Sequence, residues 1–236
     1  MKKQKVVAGL SLALLASLYL ALPVQAGSVT VEVENLTQGI YFTPLLVSAH
    51  DGSTHLFHTG TAATASLRLM AECGDISALI TDLGGEDGDT VANPAAGLLA
   101  PGGSTSTVLD TTKTHLSLVA MLLPTNDGFV GLDALAIPST VGTYTYYLNA
   151  YDASTEANNE LLDTSGCAPG MPGIPAAPGG NGGTGGTGAA ANDINSTVHI
   201  HRGTLGDTDP AGGKSDLDSR LHRWLNPVAK VVITIQ

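Results

Sequence analysis

Pro124-Thr125-Asn126-Asp127-Gly128-Phe129-Val130-Gly131 and, downstream, Ala150-Tyr151-Asp152-Ala153-Ser154-Thr155-Glu156 decide how this chain folds. Each follows an apolar, strand-like run: His115 to Leu122 precedes the first and Tyr144 to Ala150 the second. Each carries carboxylates on a turn. Two acidic loops at the same end of a β-sandwich make an oxygen cage for a hard cation.

The flanking sequence reads the same way. Ser28 to Glu34 alternates strictly between apolar and polar residues, the mark of a half-buried strand. Tyr41 to Ala49 is a second strand, made irregular or placed at an edge by Pro44. His50-Asp51-Gly52 turns the chain, and His55 to His58 extends briefly. Ala62 to Cys73 changes period: Leu67, Met70 and Ala71 stand at helical spacing, and Gly74 stops the helix. Asp75 caps a second short helix through Ile76, Leu79, Ile80 and Leu83, ended by Gly84-Gly85. Glu86 to Gly103 reads as a polar loop. Ser104 to Asp110, Thr197 to His201 and Val228 to Gln236 are further strands. The sum is an all-β chain, an antiparallel β-sandwich with one or two short inserted helices.

Lys2, Lys3 and Lys5, an apolar run from Val6 to Leu22, and Val24-Gln25-Ala26 form a bacterial-type signal peptide over residues 1–26, cleaved after Ala26. A membrane anchor is the alternative, disfavoured by the short run and the cleavage site. The mature chain, residues 27–236, is expected to be one domain, secreted or periplasmic, without a membrane span. The leader holds three of the ten basic residues and no acid, so seven basic against 21 acidic residues leave a mature charge of −14. Such a surface repels nucleic acid and anionic membranes and draws cations; its plainer role is solubility. Cys73 and Cys167 are the two cysteines. In an oxidising compartment one disulfide is expected, closing a loop of roughly 95 residues and contributing about 4 kcal/mol in the chain-entropy picture; two separate thiols are the other reading.

Gly166 to Gly188 holds ten glycines and four prolines, so a disordered loop at about 164–192 is expected within the domain. Its Gly180-Asn181-Gly182-Gly183-Thr184-Gly185 matches a dinucleotide fingerprint in letters alone, because no strand precedes it and no helix follows.

Seven histidines remain. His199 and His201 flank Ile200 on a strand, where period two sets both rings on one face. With His50 as third ligand they make a candidate copper or zinc site, His55 being a poorer partner. The plainer alternative is hydrogen-bonded structural histidines. No Gly-x-Ser-x-Gly or His-Glu-x-x-His occurs. Asp127 and Asp152 imitate a glycosidase pair, but one Trp and 4% aromatics leave no sugar platform. The chain is therefore expected not to be an enzyme.

Val33-Glu34-Asn35-Leu36-Thr37, Phe42-Thr43-Pro44, Leu122 to Gly131, Tyr151 to Glu156 and Asn226-Pro227-Val228-Ala229 together resemble a spondin-N domain, the C2-like sandwich of animal F-spondin and of many bacterial exported proteins. His50-Asp51 and Val198-His199-Ile200-His201 are closer to the bacterial branch. The resemblance implies calcium, held by Asp127, Asp152 and Glu156. Glu156 departs from the animal pattern, which has Asp there; Ser154 replaces a glycine, and Gly128 a tryptophan. The implied function is a calcium-stabilised module for binding or adhesion to an extracellular protein or glycan. The alternative is a periplasmic copper or zinc protein working through the histidines.

Overall fold

A computed structural model describes residues 27–163, 167–168, 171–180, 183–190 and 196–236. The expected leader lies outside the described residues. In chain order the elements are β1 (Gly27–Asn35), β2 (Tyr41–Phe42), β3 (Leu46–His50), α1 (Ala65–Cys73), α2 (Ser77–Asp82), β4 (Thr90–Ala92), β5 (Ser104–Thr111), β6 (His115–Leu123), β7 (Gly128–Ala136), β8 (Gly142–Leu148), β9 (Ala150–Asp152), β10 (His199–Ile200) and β11 (Ala229–Ile235). Four strands pair in the order β5-β1-β11-β8. The second sheet runs β10-β9-β7-β6-β3-β4, with β2 also on β6. The pairings between these strands are antiparallel. The expected all-β sandwich is the observed architecture.

Strand β6 explains why its sequence is a continuous apolar run. Leu116, Leu118, Ala120 and Leu122 face the four-stranded sheet, meeting Val29, Val31, Val33, Val231 and Ile233. Val119, Met121 and Leu123 face the other way, onto Leu67, Met70 and Ala71 of α1 and onto Phe57 and Phe129. Alternation puts successive side chains on opposite faces, and here both faces are covered. The two helices therefore act as a third layer over the acidic end of the second sheet. Thr64 caps α1, its hydroxyl accepting the Leu67 amide at 3.1 Å, and Gly74 ends it in the left-handed region at φ 67°. Asp75 Oδ1 takes the Ser77 amide at the start of α2.

Cys73 and Cys167 form the expected disulfide, 94 residues apart in sequence. It fastens the end of α1 to the Gly/Pro-rich segment. The described part of that segment differs from the expected disordered loop. Ile174 is fully buried and bonds both ways with the 161–163 strip. Asp216 Oδ1 accepts the amides of Thr184, Gly185 and Gly186 at 2.8–2.9 Å. Glycine lets three consecutive amides converge on one carboxylate, a local order that composition does not reveal.

Three strands were not anticipated: β4, β9, which the reading of one strand from Tyr144 to Ala150 merges with β8, and β7. The last starts within the acidic motif itself, at Gly128, and runs on through Asp133 and Ala134, residues of low strand propensity.

Candidate metal centre

The acidic site is built at the β6–β7 turn. Thr125 Oγ1 donates to the Leu122 carbonyl at 2.6 Å and accepts the Gly128 amide at 3.0 Å, closing a tight turn that points Asp127 inward. Gly128 stands opposite Asp152 in the β7–β9 register, so the second acid arrives by strand pairing. After β9 the chain folds back over Asp127. Its Oδ2 accepts the amides of Thr155 at 2.7 Å and Glu156 at 3.1 Å. Ser154 makes that reversal at φ 58°, a left-handed conformation uncommon for a residue with a Cβ. Its hydroxyl offsets the strain by donating to the Thr197 carbonyl at 2.7 Å.

Asp127, Asp152 and Glu156 are thus brought into one buried neighbourhood, all under 9% exposed. Asp152 is fully engaged: Oδ1 accepts the Ser154 amide at 2.7 Å and Oδ2 the Asn158 side-chain amide at 2.8 Å. Glu156 Oε2 accepts the Gly173 amide at 3.0 Å and Asn126 Nδ2 at 3.3 Å. The remaining oxygens, Asp127 Oδ1 and Glu156 Oε1, are buried without a hydrogen-bond partner. Burial, reinforced by the charge of Asp152, pushes the Asp127 carboxyl up to about 7. Burial also pushes Glu156 up to about 7, with Glu72 adding to the rise against the Gly173 amide. Glu72 itself lies 1% exposed and pairs with Arg68 Nε at 2.6 Å.

Two buried carboxylate oxygens with nothing to accept are costly, on the order of 1–3 kcal/mol each. Both are carboxylate oxygens, the ligand type a hard cation takes. The three carboxylates do not form a closed cage. Among the described residues, the group of three whose ligand atoms all lie within 4.8 Å of one another is His55, His58 and Asp133. A cation among the acids would therefore complete its shell with backbone carbonyls and water.

The three-histidine site does not form, which corrects the expectation of His50, His199 and His201 as copper or zinc ligands. His50 sits on β3, and β6, β7 and β9 lie between it and β10. At roughly 4.8 Å per strand that is about 19 Å. Both His50 nitrogens are engaged, Nε2 with Ser117 Oγ at 2.7 Å and Nδ1 with the Asp51 carbonyl at 2.8 Å. His201 is buried against Trp224, ring centroids 4.9 Å apart. His199 Nδ1 meets Ser154 Oγ at 3.0 Å, and its Nε2 lies 3.8 Å from Asp152 Oδ2. That trio is not a nucleophilic triad, because the Ser154 hydroxyl proton is directed to the Thr197 carbonyl.

The sequence model of the Spondin_N family matches residues 34–163, more than half of the chain, from within β1 to just beyond the acidic reversal. The chain belongs to the Spondin_N family. No curated protein matches it. The matched span of this spondin-N protein contains Asp127, Asp152 and Glu156 together with His55, His58 and Asp133. Its domain type and its disulfide are those of an extracellular or secreted protein. Among the described residues no helix is long and apolar enough to cross a membrane.

The group that sequence reading missed is His55, His58 and Asp133. The His-x-x-His spacing of His55 and His58 is plain in the sequence, but nothing local distinguishes it from a pair of solvated side chains. Asp133 gave no signal, since it joins them only through the unanticipated β7.

Proposed function

We propose that this spondin-N protein is an exported, non-catalytic module that binds calcium at Asp127, Asp152 and Glu156 and uses the ordered loop end for binding or adhesion to an extracellular protein or glycan. One observation carries the reading: Asp127 Oδ1 and Glu156 Oε1 are buried, unpartnered and on carboxyls held near neutrality by burial. A divalent cation supplies what both oxygens lack and stabilises the charged forms. Asp127 fixes the 153–156 reversal through its other oxygen, Asp152 fixes Ser154, and Glu156 reaches back to Gly173, so an ion here ties three chain segments together. The role is mechanical: it makes one end of the sandwich rigid enough to present a fixed surface. The acidic surface speaks against nucleic acid as the partner.

The test is thermal unfolding of untagged mature protein in chelator, in calcium and in magnesium. Calcium at 100 times its dissociation constant stabilises by about 2.7 kcal/mol, so a rise in Tm of roughly 5–10 °C is expected for a chain of this size. Identical melting in calcium and chelator, with no heat on calcium titration, overturns the proposal.

A further inference from the structure

We propose that His55, His58 and Asp133 form a second, separate metal site, for a late first-row divalent ion such as zinc or copper(II), on the outer face of the seven-stranded sheet. One ligand atom from each lies within 4.8 Å of the other two. Two imidazoles and a carboxylate are a donor set for zinc or copper and a poor one for calcium, which takes oxygen. Both cysteines are in the disulfide, so a thiolate-bound blue-copper centre is excluded.

The group is held in place from behind. Asp133 Oδ1 accepts the amides of Leu56 at 2.7 Å and Phe57 at 3.4 Å, which fixes the carboxylate against the loop that carries both histidines. Its other oxygen, Oδ2, meets His55 Nδ1 at 2.6 Å. The rings of His55 and His58 lie 4.0 Å apart, centroid to centroid. Between them Phe57 is driven into the sheet, packed on Phe129 and Tyr151 at 5.1 and 4.8 Å. The far side of the loop is pinned as well: Thr61 Oγ1 donates to the His58 carbonyl at 2.9 Å, and the Gly60 amide to the Val198 carbonyl at 2.8 Å. Backbone amides on Asp133 and the bonds that brace the loop hold the ligands in place before the metal arrives.

The site opens outward. His55 and His58 are exposed, and His58 and Asp133 line a groove of about 300 Å³ together with Tyr147, Asn149 and Tyr151. Three protein ligands leave a fourth position for water or a partner's donor atom. On binding, each of the three protein donor atoms displaces one water from the metal's hydration shell to solvent; a neutral His55 that ligates through Nδ1 carries its ring proton on Nε2, and no redox step is involved.

The experiment is calorimetric titration of untagged, calcium-loaded protein with zinc chloride, and copper(II) titration followed by electron paramagnetic resonance. Expected are about one equivalent of metal and, for copper, hyperfine coupling to imidazole nitrogen. The double variant His55→Ala/His58→Ala keeps one of the three ligands and abolishes the one-equivalent binding. Both side chains are exposed, so its melting temperature without zinc stays that of the wild type. His199→Ala leaves binding unchanged. Asp133→Asn, which retains an oxygen for the Leu56 amide, weakens zinc at least tenfold. Wild-type affinity in the double variant, or loss of binding in His199→Ala alone, overturns the proposal. Calcium binding at the acidic site is read separately, and either site can fail without the other.

Discussion

At Asp127 one oxygen is committed to backbone amides and the other has no partner, and substitutions separate the two roles. Asp127→Asn keeps an oxygen for the Thr155 and Glu156 amides and removes the buried charge. We expect it to leave ion-free stability within about 1 kcal/mol of wild type while abolishing the calcium-induced rise in Tm. Asp127→Ala removes the acceptor for both amides and is expected to cost about 2–4 kcal/mol in calorimetric unfolding, with or without calcium. Gly131 makes a different point. A Cβ there would meet Phe57 Cε1 at 2.6 Å. Gly131→Ala must therefore displace the Phe57 ring, and His58 with it, at about 1–3 kcal/mol in denaturant unfolding and with weakened zinc binding. At this scale the sequence was legible where residues announce themselves locally. Asp127, Asp152 and Glu156 sit on two turn motifs that strand pairing brings together. Asp133 was illegible, because an acid in mid-strand looks solvated until the His55 loop is seen closing over it.

Among the elements, β6 and β11 were plain from their apolar runs, whereas β7 was obscured by its glycines and by the acidic turn it starts in. The histidine pair failed at the element scale too. Period two was applied through Thr197 to His201, but β10 ends at Ile200 and His201 packs on Trp224. Strand order was the missing information for His50, since no local pattern states that three strands separate β3 from β10. Helix α1 and the disulfide form one unit at the acidic end. The Cys73→Ser/Cys167→Ser variant is expected to lose about 2–4 kcal/mol in chemical unfolding. It should also bind calcium more weakly by titration, because Gly173, which donates to Glu156, lies in the strip that the bond secures.

For the whole molecule, the raised carboxyls set how stability follows acidity. Asp127 and Glu156 titrate near 3.8 and 4.5 when unperturbed and at about 7 in the fold. Between those limits the native state holds more protons than the unfolded chain, so ion-free stability falls as pH rises from about 4 to about 7. If calcium binds as proposed it needs the deprotonated forms, and its affinity should climb over the same window. Melting in chelator should therefore be higher at pH 5 than at pH 8, and the increment from calcium should be larger at pH 8. Equal increments at both values would remove the link between these two carboxyls and the ion. The Cys73–Cys167 bond adds an order of events to this chemistry. While the thiols are still reduced, the strip bearing Gly173 is held only by the pairing of Ile174 with Leu161 and Asp163, and the amide that aims Glu156 is expected to be less firmly placed. If calcium binds as proposed, chains whose thiols are still reduced should hold it more weakly, and the grip on the ion should tighten once the Cys73–Cys167 bond has formed.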